Sequence, residues 1–146
     1  MNLKITRMSA SAKLPTRATT GSAGYDLYAD LPSPFVLKAG ERALIPTGVA
    51  IALQSNEIGA FVYARSGLSS RHGVTMANGV GVVDSDYRGE LKVPVVNLSM
   101  QDYTIEPGER IAQLVLHPVI PYELEEVSAL DETQRGAGGF GSSGRK

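Results

Sequence analysis

Cysteine is absent from this chain of 146 residues, which excludes disulfides, thiolate metal sites and a cysteine nucleophile. His72 and His117 are the two histidines, too few for a zinc site built on several imidazoles. Charge bias is missing as well: the formal net charge is -1 and basic and acidic residues are interleaved, so there is no footprint for duplex nucleic acid or an anionic membrane. A bound anion has to be met by a few placed residues. No apolar run approaches the ~20 residues of a membrane span, and MNLKITRMSA has no apolar h-region. These absences predict a soluble, untargeted protein, and the lack of cysteine accords with a cytoplasmic location.

Helical periodicity is also scarce. No window carries a 3.6-residue apolar stripe over three turns. Sixteen glycines and eight prolines instead divide the chain into short runs rich in Val, Ile, Leu and Tyr: LKITRM, YDLYA, FVL, RALIPTGVAIAL, AFVYAR, GVTMANGVGVV, ELKVPVVNLS and RIAQLVLHPV. Turn signals such as SNEIG, DYRG and EPGE stand between them. The pattern predicts one all-β domain, a sandwich or jelly-roll-like barrel. One short helix fits around SGLSSRHG, and YELEEVSAL reads either as a late strand or as a short helix. VPVVNLS is apolar on both faces, which fits burial under a neighbouring subunit or a fully internal strand. Composition breaks only near Thr133, giving a single domain over 1–132 and a Gly-rich arm over 133–146.

The arm, RGAGGFGSSGRK, contains G-x-G-x-x-G between Gly136 and Gly141. A dinucleotide-binding turn needs a helix after it to supply the anion site, and the sequence given continues only five residues past Gly141. A Walker A reading fails too, because Arg145 stands where the lysine belongs. Two readings stay open: an idle tail, or a clamp in which Arg135, Ser142 and Ser143 meet phosphates and Phe140 offers a face to a base.

Four internal stretches carry chemistry-bearing residues. In AGYDLYA, Asp26 lies within an apolar strand, either facing outward by alternation or serving a site. In ARSGLSSRHG, Arg65, Ser66 and Gly67 sit at a turn able to present a guanidinium, a hydroxyl and backbone N–H groups to a phosphate. In NGVGVVDSDYRGELKV, Asn78-Gly79 is a hairpin signal, yet Asn78 can read a base edge, Asp84 can accept a proton and Tyr87 can lie against a sugar. In GERIAQL, Gln113 interrupts an apolar strand and needs polar partners. Hydrolysis of a nucleoside triphosphate requires this set: cations and hydroxyls for phosphates, a carboxylate for hydrated Mg²⁺ and a base for water.

AGYDLYA, ARSGLSSRHG, GVVDSDYRGELKV, GERIAQL and RGAGGFGSSG resemble, in order, the five motifs of the trimeric deoxyuridine triphosphate nucleotidohydrolases, the dUTPases. They span Ala23 to Gly144. The resemblance implies an all-β, jelly-roll-like distorted barrel of the β-clip type, assembled as a threefold homotrimer with active sites shared between subunits. It implies hydrolysis of dUTP to dUMP and diphosphate with Mg²⁺ as cofactor, which limits uracil in DNA and supplies dUMP for dTMP synthesis. By motif, Asp84 is the catalytic base and Asp26 holds the metal through water. Arg65, Ser66, Gly67 and Gln113 contact the phosphates. Asn78 and the hairpin backbone, including Gly81 and Val83, read uracil, and Tyr87 packs on deoxyribose where a 2′-hydroxyl would clash. The arm, mobile until substrate binds, then closes: Phe140 stacks on uracil, Gly141 allows close approach, and Arg135, Ser142 and Ser143 grip the phosphates.

Departures from the family pattern are few. Ala64 stands where many relatives have proline, Arg110 has a supporting part, and Arg145 and Lys146 have no assigned role. One rival is a dCTP deaminase of the same fold, but such enzymes use a glutamate near the position of Pro94. The other is a trimeric module that binds nucleotide or protein without catalysis, to which a carboxylate beside phosphates brings nothing.

Overall fold

The structure, a computed structural model, describes residues 2–140. Eleven strands and one short helix are defined among them. Strands β1 (Lys4–Arg7), β2 (Tyr25–Tyr28) and β3 (Phe35–Leu37) match LKITRM, YDLYA and FVL. RALIPTGVAIAL divides into β4 (Arg42–Pro46) and β5 (Val49–Ala52). The break falls at Gly48, whose φ of +65° is left-handed; a Cβ there would also collide with Asp30 and Ala12. β6 (Ile58–Ala64) leads into α1 (Ser66–His72), the helix expected at SGLSSRHG. Gly73, at φ +69°, ends that helix by returning its N–H to Ser69.

The chain continues through β7 (Val74–Met76), β8 (Gly81–Val83), β9 (Lys92–Asn97), β10 (Tyr103–Ile105) and β11 (Arg110–Pro118). The strands form antiparallel sheets ordered β2-β11-β6-β8, β4-β9-β7, β1-β5 and β10-β3. The architecture is all-β and jelly-roll-like, with no closed hydrogen-bonded barrel among the described residues. Leu27, Leu37, Ile45, Val93, Ile105 and Leu114, all at most 2% exposed, fill the interior.

The apolar character of VPVVNLS has an internal cause. β9 lies between β4 and β7, and Val93, Val95 and Asn97 are buried within the single chain. Asn97 survives there because every polar atom is paired: Nδ2 donates to Leu37 O at 3.1 Å and Gln101 O at 2.7 Å, while Oδ1 accepts from the Ser99 amide and hydroxyl.

Two segments differ from expectation. β10 lacks the signal that the equally short FVL carries, because Thr104 interrupts its apolar run; its pairing with β3 is what makes it a strand. YELEEVSAL forms neither strand nor helix. Ile120, Tyr122 and Leu124 follow β11 at alternate positions and are 72%, 80% and 100% exposed. Nothing in the described chain covers these three side chains, although Val119 still donates its N–H to Glu57 O.

Candidate active site

Sheet register places the sequence-predicted residues in two groups. The first lies where β2, β11 and the end of β6 run side by side: Gln113 pairs with Asp26 on one side and with Tyr63 on the other. Arg65 follows β6 directly. Its Nε is 3.2 Å from Asp26 Oδ1, and its terminal nitrogen donates to Arg110 O at 2.9 Å. Arg110 completes the cluster by donating to Asp26 Oδ2 at 3.2 Å. Gln113 Nε2 donates to Ala64 O at 3.1 Å, which answers the need of a half-buried amide for partners.

One carboxylate therefore faces two guanidiniums where α1 begins, with the Glu109 carboxylate close by. The two guanidiniums offer N–H donors of the kind that phosphate oxygens accept. Ser66 and Gly67 open α1 beside Arg65, with Gly67 open enough that an added Cβ would meet nothing within 4 Å. Sequence reasoning gave Arg110 only a supporting part, because its contact with Asp26 joins residues 84 positions apart. It also missed Glu109, which accepts the Tyr103 hydroxyl and the Glu106 amide next to this cluster. Burial and Glu109 together push the Tyr103 hydroxyl pKa upward, so it stays protonated and serves as a donor.

The second group surrounds a concavity of about 350 Å³ lined by Asn78, Gly81, Val83, Asp84, Tyr87 and Pro94, among others. Gly79, at φ +74°, turns the chain between β7 and β8, and an added Cβ there would meet nothing: the backbone conformation, and not crowding, calls for glycine. Asp84 leaves β8 at its end, exposed, and among the described residues no cation pairs with its carboxylate. The Tyr87 amide donates to Asp84 O at 3.2 Å, closing the turn. A larger concavity of about 570 Å³, bordered by Ile5, Leu14, Tyr25 and Leu116, contains none of the sequence-predicted site residues.

Within one chain the two groups stand apart. Val83, next to Asp84, pairs with Ala60, whereas Arg65 follows the opposite end of β6. At ~3.3 Å per residue, Ala60 to Arg65 spans about 16 Å along the strand. Arg135 and Phe140 join neither group. Arg135 Nε donates to Gly138 O within its own turn, and Phe140, at φ +51°, is fully exposed. Gly141, Ser142 and Ser143 lie outside the described residues.

Among the described residues no three acidic or histidine side chains converge on a point, so the donor set does not fit a cation caged by protein. Each Asp26 oxygen meets one guanidinium and keeps a second lone pair, which fits an outer contact to the water shell of a Mg²⁺ carried by phosphates. No described helix is long and apolar enough to cross a membrane.

An all-β jelly-roll-like chain with an arginine cluster around Asp26, an aspartate hairpin and a Gly-rich arm fits a class of nucleotide-handling protein, and the comparisons specify it further. Residues 10–144 match the dUTPase family model. The chain is 50% identical over 138 residues to the deoxyuridine 5'-triphosphate nucleotidohydrolase of Desulfitobacterium hafniense (strain DSM 10664 / DCB-2), covering 94% of this chain and 91% of that one. It is equally identical over 139 residues to the Serratia proteamaculans (strain 568) protein of the same name, covering 95% and 91%. Among solved structures, a Staphylococcus bacteriophage 80alpha dUTPase with dUPNHPP superposes with TM-score 0.88 at 30% identity, covering 98% of each chain. A phage phi11 dUTPase mutant, described as coordinating a structural Mg(II) ion, gives TM-score 0.81 at 25% identity, covering 90% of this chain and 100% of that one. The chain belongs to the dUTPase family, enzymes that hydrolyse dUTP to dUMP and diphosphate.

Proposed function

We propose that this chain hydrolyses dUTP to dUMP and diphosphate at a site completed by more than one copy of itself, in a cytoplasmic homotrimer. The observation that carries the shared site is the separation of the two groups along β6. A general base must come within hydrogen-bond reach of the water it activates, about 3 Å. Phosphates held at Arg65 lie too far from the Asp84 of the same chain. A second copy bringing its hairpin to the arginine cluster satisfies both demands, and the uncovered Ile120, Tyr122 and Leu124 favour packing between copies.

In that assembly Arg65, Ser66, the Gly67 amide and Gln113 hold the triphosphate, and Arg110 keeps Asp26 and Arg65 in register. Asn78 and the backbone at Gly81 and Val83 read the uracil edge. Exocyclic groups of cytosine reverse that donor and acceptor order, leaving buried groups unpaired, and the thymine methyl overlaps the hairpin. Tyr87 lies against the deoxyribose. Asp84 accepts a proton from water as its oxygen attacks the α-phosphorus; the bond from that phosphorus to the β-bridging oxygen breaks, and diphosphate leaves. Asp26 would hold Mg²⁺ through water, and the ion would supply charge neutralisation on the triphosphate. The arm over 133–146 closes the site, with Phe140 on the base and Arg135, Ser142 and Ser143 on the phosphates beside Gly141.

The expected result is Mg²⁺-dependent diphosphate release that strongly favours dUTP. kcat/KM for dTTP, dCTP or UTP comparable with that for dUTP would contradict the assigned pocket, ammonia release from dCTP would indicate the deaminase, and no turnover at all would leave a binding module.

A further inference from the structure

The turn after Asp84 contains a glycine whose requirement differs from that at Gly79. Gly89 is not among the glycines with positive φ, so the backbone conformation there suits other residues. Space is the constraint. A Cβ on Gly89 would run into the Tyr87 phenol, reaching its hydroxyl, Cζ at 2.6 Å and Cε2 at 3.0 Å. The ring thus lies directly over the Gly89 Cα, and its hydroxyl donates to Glu90 O at 3.0 Å. Glu90 is itself fastened: Oε1 accepts the Gly48 amide at 2.8 Å and Oε2 lies 3.6 Å from Lys92 Nζ. Tyr87 is 45% exposed, so no surrounding core holds its ring in place. The bare Cα below and the anchored carbonyl beyond are its seat.

We propose that Gly89 is a positioning residue for sugar selection, its missing side chain letting Tyr87 close down at the height that admits deoxyribose and rejects ribose. This rests on the assignment of Tyr87 to the sugar. A methyl group at position 89 meets the movable end of a side chain and not backbone, so the fold tolerates it while the ring is displaced. Discrimination of this kind depends on sub-ångström overlap with one hydroxyl, so a tilted ring loses it before it loses dUTP turnover.

The experiment measures kcat and KM for dUTP and UTP in the full-length protein, in Gly89→Ala, in Tyr87→Ala and in the double variant. In Gly89→Ala the dUTP/UTP ratio of kcat/KM should fall about tenfold, mainly through tighter UTP binding. In the Tyr87→Ala background the same change should leave the ratio as it is, since no ring remains to displace. An unchanged ratio in Gly89→Ala, or an equal further fall in the double variant, overturns the proposal. So does a double variant that fails to fold where Tyr87→Ala alone folds, because the glycine would then serve the backbone. If Gly89→Ala alone fails to fold, the proposal is overturned too, because the ring then cannot shift as sugar selection by its height requires. Absence of dUTP/UTP discrimination in the unmodified protein would instead refute the assignment of Tyr87 to the sugar.

Discussion

Asp84→Asn should lower kcat by about 10²–10⁴-fold while dUTP still binds, because the amide keeps the shape of the side chain and loses only its capacity to take a proton. The carboxylate is well suited to that role. It is exposed at the end of β8, and among the described residues no guanidinium or ammonium neutralises it, unlike Asp26, which is bracketed by Arg65 and Arg110. A base already committed to an ion pair would be a poor acceptor. Steady-state turnover and equilibrium binding of dUTP check the prediction. Near-normal kcat in Asp84→Asn would move the role to Asp86, the next carboxylate in the same turn.

Ending the chain after Gln134 should cost at least about 10²-fold in kcat/KM, comparable with removing one preorganised charge donor from a transition state. Folding should survive, since among the described residues the last strand ends at Pro118 and no core residue lies beyond Leu114. What is removed is Arg135 and Phe140, which rest against neither group of site residues, together with Gly141, Ser142 and Ser143. Thermal unfolding and mass in solution report the fold and the assembly; turnover reports the arm. Undiminished turnover would make RGAGGFGSSGRK an idle end.

Much of this was legible in the chain itself. Gly and Pro punctuation with β-branched runs located ten of the eleven strands, and SGLSSRHG located the helix, because those signals are local. The motif residues too could be picked out singly. What could not be read is how they combine. β10 exists through its pairing with β3, and the Asp26–Arg110 contact joins opposite parts of the chain through the register of β2 and β11. YELEEVSAL has alternating and helical character at once, and neither is realised in a single chain. Gly89 illustrates the same limit: its sequence context reads as an ordinary turn glycine, and only the position of the Tyr87 ring shows what its hydrogen side chain permits.

The shared site is tested most directly by mixing two inactive proteins. Asp84→Asn chains have a sound arm and a disabled hairpin; chains ending at Gln134 have the reverse. Unfolded together in equal amounts and reassembled, random trimers should give a sound hairpin and a sound arm, from different chains, at about a quarter of sites. Recovery of about that fraction of full activity is the result predicted here. Activity no higher than that of the two unmixed variants, with mixed trimers verified by mass, would contradict this by showing that the hairpin and the arm of each site come from the same chain.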